Sequence, residues 1–116
     1  MDDGITSSML KNASPLAISY LTNLYNEMFR TGTVPNSLLS GKMTLTDKKK
    51  PSLYVSGKRP LNVSSVIMNL FTKIIHQRTD IISEEEGFYG PIQYGFRSGR
   101  STADCLFRLL SAIRKA

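Results

Sequence analysis

Four apolar stretches recur at helical spacing along this chain, and two basic connections separate them, which confines it to a mostly helical fold with little room for sheet. The second stretch is the clearest. Ser14 opens it with Pro15 in the favoured first helical position. Leu21, Leu24, Tyr25, Met28 and Phe29 then lay one stripe along one face, and Gly32 closes the helix. A short helix over residues 5–11 precedes it. A third helix is entered near Ser64 or Ser65, and Val66, Ile67, Leu70, Phe71, Ile74 and Ile75 give it a broad apolar face that must be buried. The fourth runs from about Ser101 to the end, with Leu106, Leu109, Leu110 and Ile113 inward and Arg108, Arg114 and Lys115 outward. Ser101 suits its N-cap, with Asp104 in the N3 place of a capping-box start.

The first basic connection reads as the tip of a hairpin. Met43 and Leu45 alternate with Lys42, Thr44 and Thr46, the period of a half-buried strand, and Leu61 and Val63 suggest the return strand. Between them Lys48, Lys49, Lys50, Lys58 and Arg59 crowd around Pro51 and Gly57. The tip is either a solvated turn or a place where cations gather for phosphate. The expected class is therefore α+β, mostly helical, with one small antiparallel β-hairpin packed on a helical layer.

The second connection, residues 93–102, holds two glycines, two arginines and two aromatics directly before the last helix. Gly95 and Gly99 free the backbone for φ > 0 or for close packing. Arg97 and Arg100 offer planar forks suited to phosphate, beside the partial positive charge of a helix N-terminus. Such a loop fits a nucleic-acid contact, or else it is a solvated turn whose glycines only reverse the chain.

The 116 residues are enough for one modest core and too few for two. A hydrophobic share of 41% is that of a globular protein, and a formal charge of +6 favours polyanionic partners. The single cysteine, Cys105, excludes an internal disulfide and is expected to be a buried small hydrophobe. His76 has no second histidine with which to hold a metal, and Glu84, Glu85 and Glu86 read as a solvated run whose side chains do not converge. Residues 1–8 lack the apolar core of a signal peptide, and no stretch approaches the length of a membrane span. An intracellular chain without membrane partners is expected, with nucleus and cytoplasm not distinguished.

Read in order, the segments resemble the N-terminal, fingers part of a reverse transcriptase of the non-LTR (LINE-like) retrotransposon type. Asp3-Gly4-Ile5 with Leu10-Lys11 resembles the family's first short helix. Leu24-Tyr25-Asn26 followed by Gly32, Val34 and Pro35 resembles its next signature, and Lys48-Lys49 its basic strand end. Lys58-Arg59-Pro60-Leu61 stands where the family has an Arg-Pro-Ile run, with Ser65, Lys73 and Arg78 placed like the polar residues that follow. Gln93, Gly95, Phe96, Arg97, Gly99, Arg100, Ser101, Thr102 and Asp104 then match a twelve-residue family motif almost position for position. The departures are Leu38 where the family commonly carries tryptophan, and Leu61-Asn62 after the Arg-Pro pair.

The resemblance implies one segment, 1–116, made of leading helices (1–35), a basic β-hairpin (42–63), a helix (64–82) and a Gly/Arg loop with the last helix (93–116). The family's palm, with its catalytic aspartates, has no counterpart in this sequence. Asp2-Asp3 is no substitute, since no strand precedes it. No catalytic residue and no metal ligand is therefore expected here, and Mg²⁺ belongs only to a complete enzyme, where two ions must be clamped by converging carboxylates. The implied function is a piece of an RNA-directed DNA polymerase of a mobile element, inactive alone. The alternative is a stand-alone nucleic-acid-binding or interaction module derived from such an element. Under the first reading Arg59, Lys49 and Lys50 meet the incoming dNTP. Gln93, Phe96, Arg97 and Arg100 meet the RNA template paired to its DNA primer, with Phe96 either against a base or ribose or serving as a core anchor of its loop.

Overall fold

The computed structural model describes residues 3–116, so Asp2, the first member of the Asp2-Asp3 pair, lies outside the described residues. Two compact units divide the chain, Met1–Lys73 and Ile74–Ala116. Together they show the expected α+β composition: five α-helices and a single two-stranded antiparallel sheet among the described residues.

In the first unit, α1 (Ser7–Lys11) starts on Thr6, whose hydroxyl accepts from the Met9 amide. Helix α2 (Pro15–Thr31) begins and ends where the sequence places it. The Ser14 hydroxyl accepts from the Ala17 amide, Pro15 takes the first turn, and Gly32 closes the helix in the left-handed region. A one-turn helix that the sequence reading did not contain, α3 (Asn36–Leu39), follows Pro35.

Strands β1 (Lys42–Asp47) and β2 (Lys58–Val63) then pair with Lys42 opposite Val63 and Asp47 opposite Lys58. Directly opposed residues share a face of an antiparallel ribbon. Met43 and Leu45 therefore stand on one face, opposite Asn62 and Pro60, while Leu61 and Val63 stand on the other, opposite Thr44 and Lys42. All four apolar side chains are about half exposed or more, so neither face is covered within the chain as the expected half-buried pattern requires.

Helix α4 (Val66–Glu85) runs three residues beyond the expected end, and the boundary between the units falls within it. Its start is fixed by Ser65, which is buried and accepts from the Met68 amide at 3.1 Å. The core of the first unit is small and aromatic. The Phe71 ring lies 5.1 Å from that of Tyr25 and 5.3 Å, edge-on, from that of Phe29, with Met28 buried beside them. Burial pushes the Tyr25 phenol up.

The second unit contains the end of α4, a loop, and α5 (Thr102–Lys115). Helix α5 opens on the expected capping box: the Ser101 hydroxyl accepts from the Asp104 amide, and the Asp104 carboxylate accepts from the Ser101 amide at 2.9 Å. Its apolar face corrects the sequence reading. Leu106, Leu109, Leu110 and Ile113 are all more than half exposed, and Cys105 is exposed rather than buried. The helical period says which side chains share a face; it does not supply a layer to cover them, and neither the end of α4 nor the loop does so.

Candidate nucleic-acid interface

The hairpin tip is held by contacts that leave most of its cations outward. Lys48 is fixed twice: its amide donates to the Gly57 carbonyl at 3.0 Å and its Nζ to the Ser56 carbonyl at 2.8 Å. Asp47 receives Lys58 Nζ at 2.5 Å and the Ser52 amide at 3.2 Å, and the Lys58 contact first, then the amide, holds its carboxyl below the usual range. The turn can close only because residue 57 is glycine. A Cβ there would run into the side chain of Ser52, whose hydroxyl in turn accepts from the Tyr54 amide at 3.1 Å.

The outcome is an open depression of about 570 Å³ lined by Lys48, Lys49, Lys50, Ser52, Gly57 and Arg59. It brings together Arg59, Lys49 and Lys50, the three residues expected to meet nucleotide. All three are exposed, and no described acidic residue forms an ion pair with them. Four cations around one concavity without a carboxylate lining it attract phosphate and leave no competitor for a divalent ion.

The loop of the second unit is organised by residues that the sequence reading left as a helix-end charge and a solvated run. Asp80 accepts from the Tyr89 hydroxyl at 3.0 Å and from the Ser98 hydroxyl at 2.6 Å. These two bonds, Ser98's the larger, hold the Asp80 carboxyl below its usual range, and the Tyr89 phenol is raised chiefly by donating to that carboxylate. One turn further along α4, Glu84 accepts from Arg97 in the two-pronged manner, Nε to Oε1 at 2.7 Å and Nη2 to Oε2 at 3.0 Å. This pairing lowers the Glu84 carboxyl and raises the Arg97 guanidinium.

Arg97 also donates from Nη1 to the Gly90 carbonyl at 3.2 Å and toward that of Gln93 at 3.4 Å, while its guanidinium lies 5.1 Å over the Tyr89 ring. Its side chain is only 11% exposed. The Gln93 side chain donates to the Gly95 carbonyl at 2.8 Å, turning the chain toward Phe96. Further along, Arg108 reaches back from α5 to the Pro91 carbonyl at 2.5 Å.

Phe96 is the exception in this knot. It has φ +58°, the only non-glycine residue in the left-handed region among the described residues, and its ring is 101% exposed. Gly95, beside it, does not use a positive φ; Gly99 does, at +71°. Of the four residues expected to face template, Phe96 and Arg100 are outward, Gln93 braces the turn and Arg97 is committed to Glu84. Within its own unit Phe96 is not buried as a core anchor of the loop would be.

Asp80, Glu84, Tyr89 and Ser98 were not singled out from the sequence as parts of this site. The only available signal was the i, i+4 placement of Asp80 and Glu84 on one face of a helix that precedes an Arg/Gly loop.

Among the described residues no group of three or more His, Cys, Asp or Glu gathers as a metal site, and no helix is long and apolar enough to cross a membrane.

The lysine-rich depression and the loop braced through Arg97 are the two arginine-bearing features of the expected site, and the chain can be compared with known proteins. The chain is 29% identical over 98% of its length to a probable RNA-directed DNA polymerase from transposon BS of Drosophila melanogaster. It is 30% identical over the same share to the probable RNA-directed DNA polymerase from transposon X-element of the same organism. Over nearly its whole length it is thus similar to probable RNA-directed DNA polymerases from transposons, in keeping with the resemblance its motifs carry. The chain spans about 13% of the length of each of these relatives. No protein-family model and no solved structure matches it.

Proposed function

We propose that this chain is a fingers segment of an RNA-directed DNA polymerase of a mobile element and supplies contacts to the incoming nucleotide and to the RNA template. The observation that carries the nucleotide side is the depression at the hairpin tip, where Arg59, Lys49 and Lys50 surround one concavity free of carboxylates. A planar fork and two mobile point charges there neutralise triphosphate oxygens. The loop bearing Gln93, Phe96, Arg97 and Arg100 lies against the template strand, with the Phe96 ring available to stack on a base. The described residues do not gather the carboxylates that Mg²⁺ requires, so no catalytic step is assigned to them. DNA primer and metal are matters for the remainder of a polymerase.

Within a complete polymerase carrying this segment, Arg59→Ala raises the KM for dNTP more than it weakens template binding. An effect confined to template affinity would show that the depression faces something other than nucleotide.

A further inference from the structure

The end of α4 does more than continue a helix. Asp80 and Glu84 stand one turn apart, and between them they receive Tyr89, Ser98 and Arg97, three side chains from the loop before α5. Arg97 makes four hydrogen bonds, two to Glu84 and two to loop carbonyls, with one face of its guanidinium over Tyr89. A guanidinium engaged in this way, with a side chain 11% exposed, has little left to offer a phosphate. Phe96, the residue immediately before it, is meanwhile presented to solvent in a backbone conformation that a phenylalanine adopts only when its surroundings hold it there. The strap and the presented ring are neighbours in sequence, so fixing one fixes the other.

We infer that Asp80 and Glu84 are positioning residues for the template loop, and that Arg97 acts as their strap, leaving Phe96 and Arg100 as the groups that meet RNA. The inference rests on the template reading given above and divides its labour. It makes a prediction opposite in sign to simple electrostatics. Neutralising Glu84 removes a negative charge near a polyanion site, which by charge alone tightens RNA binding. If Glu84 instead positions the loop, neutralising it frees Arg97, releases Phe96 from its presented conformation and weakens binding.

The test uses the whole 116-residue chain and poly(U) as a single-stranded probe, with amide hydrogen exchange of residues 88–98 read in parallel. Glu84→Gln is expected to speed exchange across that loop and to weaken poly(U) binding roughly five- to tenfold, the lower part of the range for coupling between groups. Tyr89→Phe changes no charge and keeps a ring beneath Arg97, and it shifts both readouts in the same direction by less. Arg100→Gln lowers the slope of log affinity against log salt by about 0.7, the loss of one phosphate contact on a single strand, whereas Arg97→Gln weakens binding with the slope unchanged. Binding by Glu84→Gln as tight as or tighter than that of the unsubstituted chain overturns the positioning role, as does an equal loss of slope for Arg97→Gln. Failure of the unsubstituted chain to bind poly(U) at all removes the template reading itself, a result distinct from either of these.

Discussion

The Tyr25 hydroxyl donates to the main-chain carbonyl of Ile67 at 2.6 Å, joining α2 to the first turn of α4 across 42 residues of sequence. That bond and the ring contact with Phe71 are the tertiary link on which the first unit's small core depends. Tyr25→Phe should cost about 1 kcal/mol, since the Ile67 carbonyl keeps its helical partner and loses only the added donor. Phe71→Ala should cost about 3–5 kcal/mol, because it empties the centre of the cluster. Urea unfolding followed by circular dichroism checks both; equal costs would mean that the hydrogen bond and not the ring governs the contact.

Acid should open the loop of the second unit. Asp80 is held low by Ser98 and then Tyr89, and Glu84 by Arg97. A carboxyl lowered in the folded state contributes stability that is present above its unfolded value, about 4, and is lost as the pH falls through the folded value. NMR resonances of Ser98, Arg97 and the Tyr89 ring should therefore stay constant from neutral pH to about 4 and shift together below it. In Ser98→Ala the Asp80 carboxyl should titrate closer to its ordinary range; an unchanged Asp80 titration would show that this hydroxyl is not its main partner.

Phe96→Gly should separate stability from binding. Glycine enters the left-handed region without the cost of roughly 1 kcal/mol that a side chain bears there, so the loop becomes more stable. The same change removes the exposed ring, and poly(U) affinity falls by the worth of one base stack, about 1–3 kcal/mol. Thermal unfolding and fluorescence anisotropy measure the two effects. A stabilised variant with undiminished affinity would mean that the ring does not meet RNA.

At the hairpin tip, Gly57→Ala places a methyl group into the side chain of Ser52 and should disorder the turn that lines the basic depression. Ser52→Gly in the same chain removes the colliding atoms and should restore it. Exchange protection of the Lys48 amide, which depends on the Gly57 carbonyl, reports the loss and the recovery. If protection stays lost in the double variant, the crowding at residue 52 is not the reason for glycine at 57.

Much of the architecture was legible because its signals are local. Ser14 and Gly32 bracket α2 and the Ser101-Asp104 pair opens α5 through bonds spanning three or four residues, which spacing reveals directly. Met43 and Leu45, and then Leu61 and Val63, marked the strands by alternation, but alternation could not say that the register would set the two pairs back to back. The exposure of Leu106, Leu109, Leu110 and Cys105 escaped for a related reason, since periodicity describes a surface and not its cover. In the loop, Gly99 and Phe96 take the left-handed backbone, while Gly95, which the sequence left free for either a positive φ or close packing, does not use a positive φ. Arg97, next to Phe96, is paired with Glu84 thirteen residues away, and a pairing at such distance leaves no periodic trace.

The opposed placement of Met43 with Leu45 and of Leu61 with Val63 changes what keeps the two strands aligned. In most ribbons a slip by one step exchanges a greasy side for a wet one and is punished at once. Here either side is equally greasy, so that penalty is absent. Alignment passes instead to the Asp47–Lys58 pair and the Gly57–Ser52 crossing just beyond it, and the cationic end of the ribbon serves as the clasp that keeps it in step.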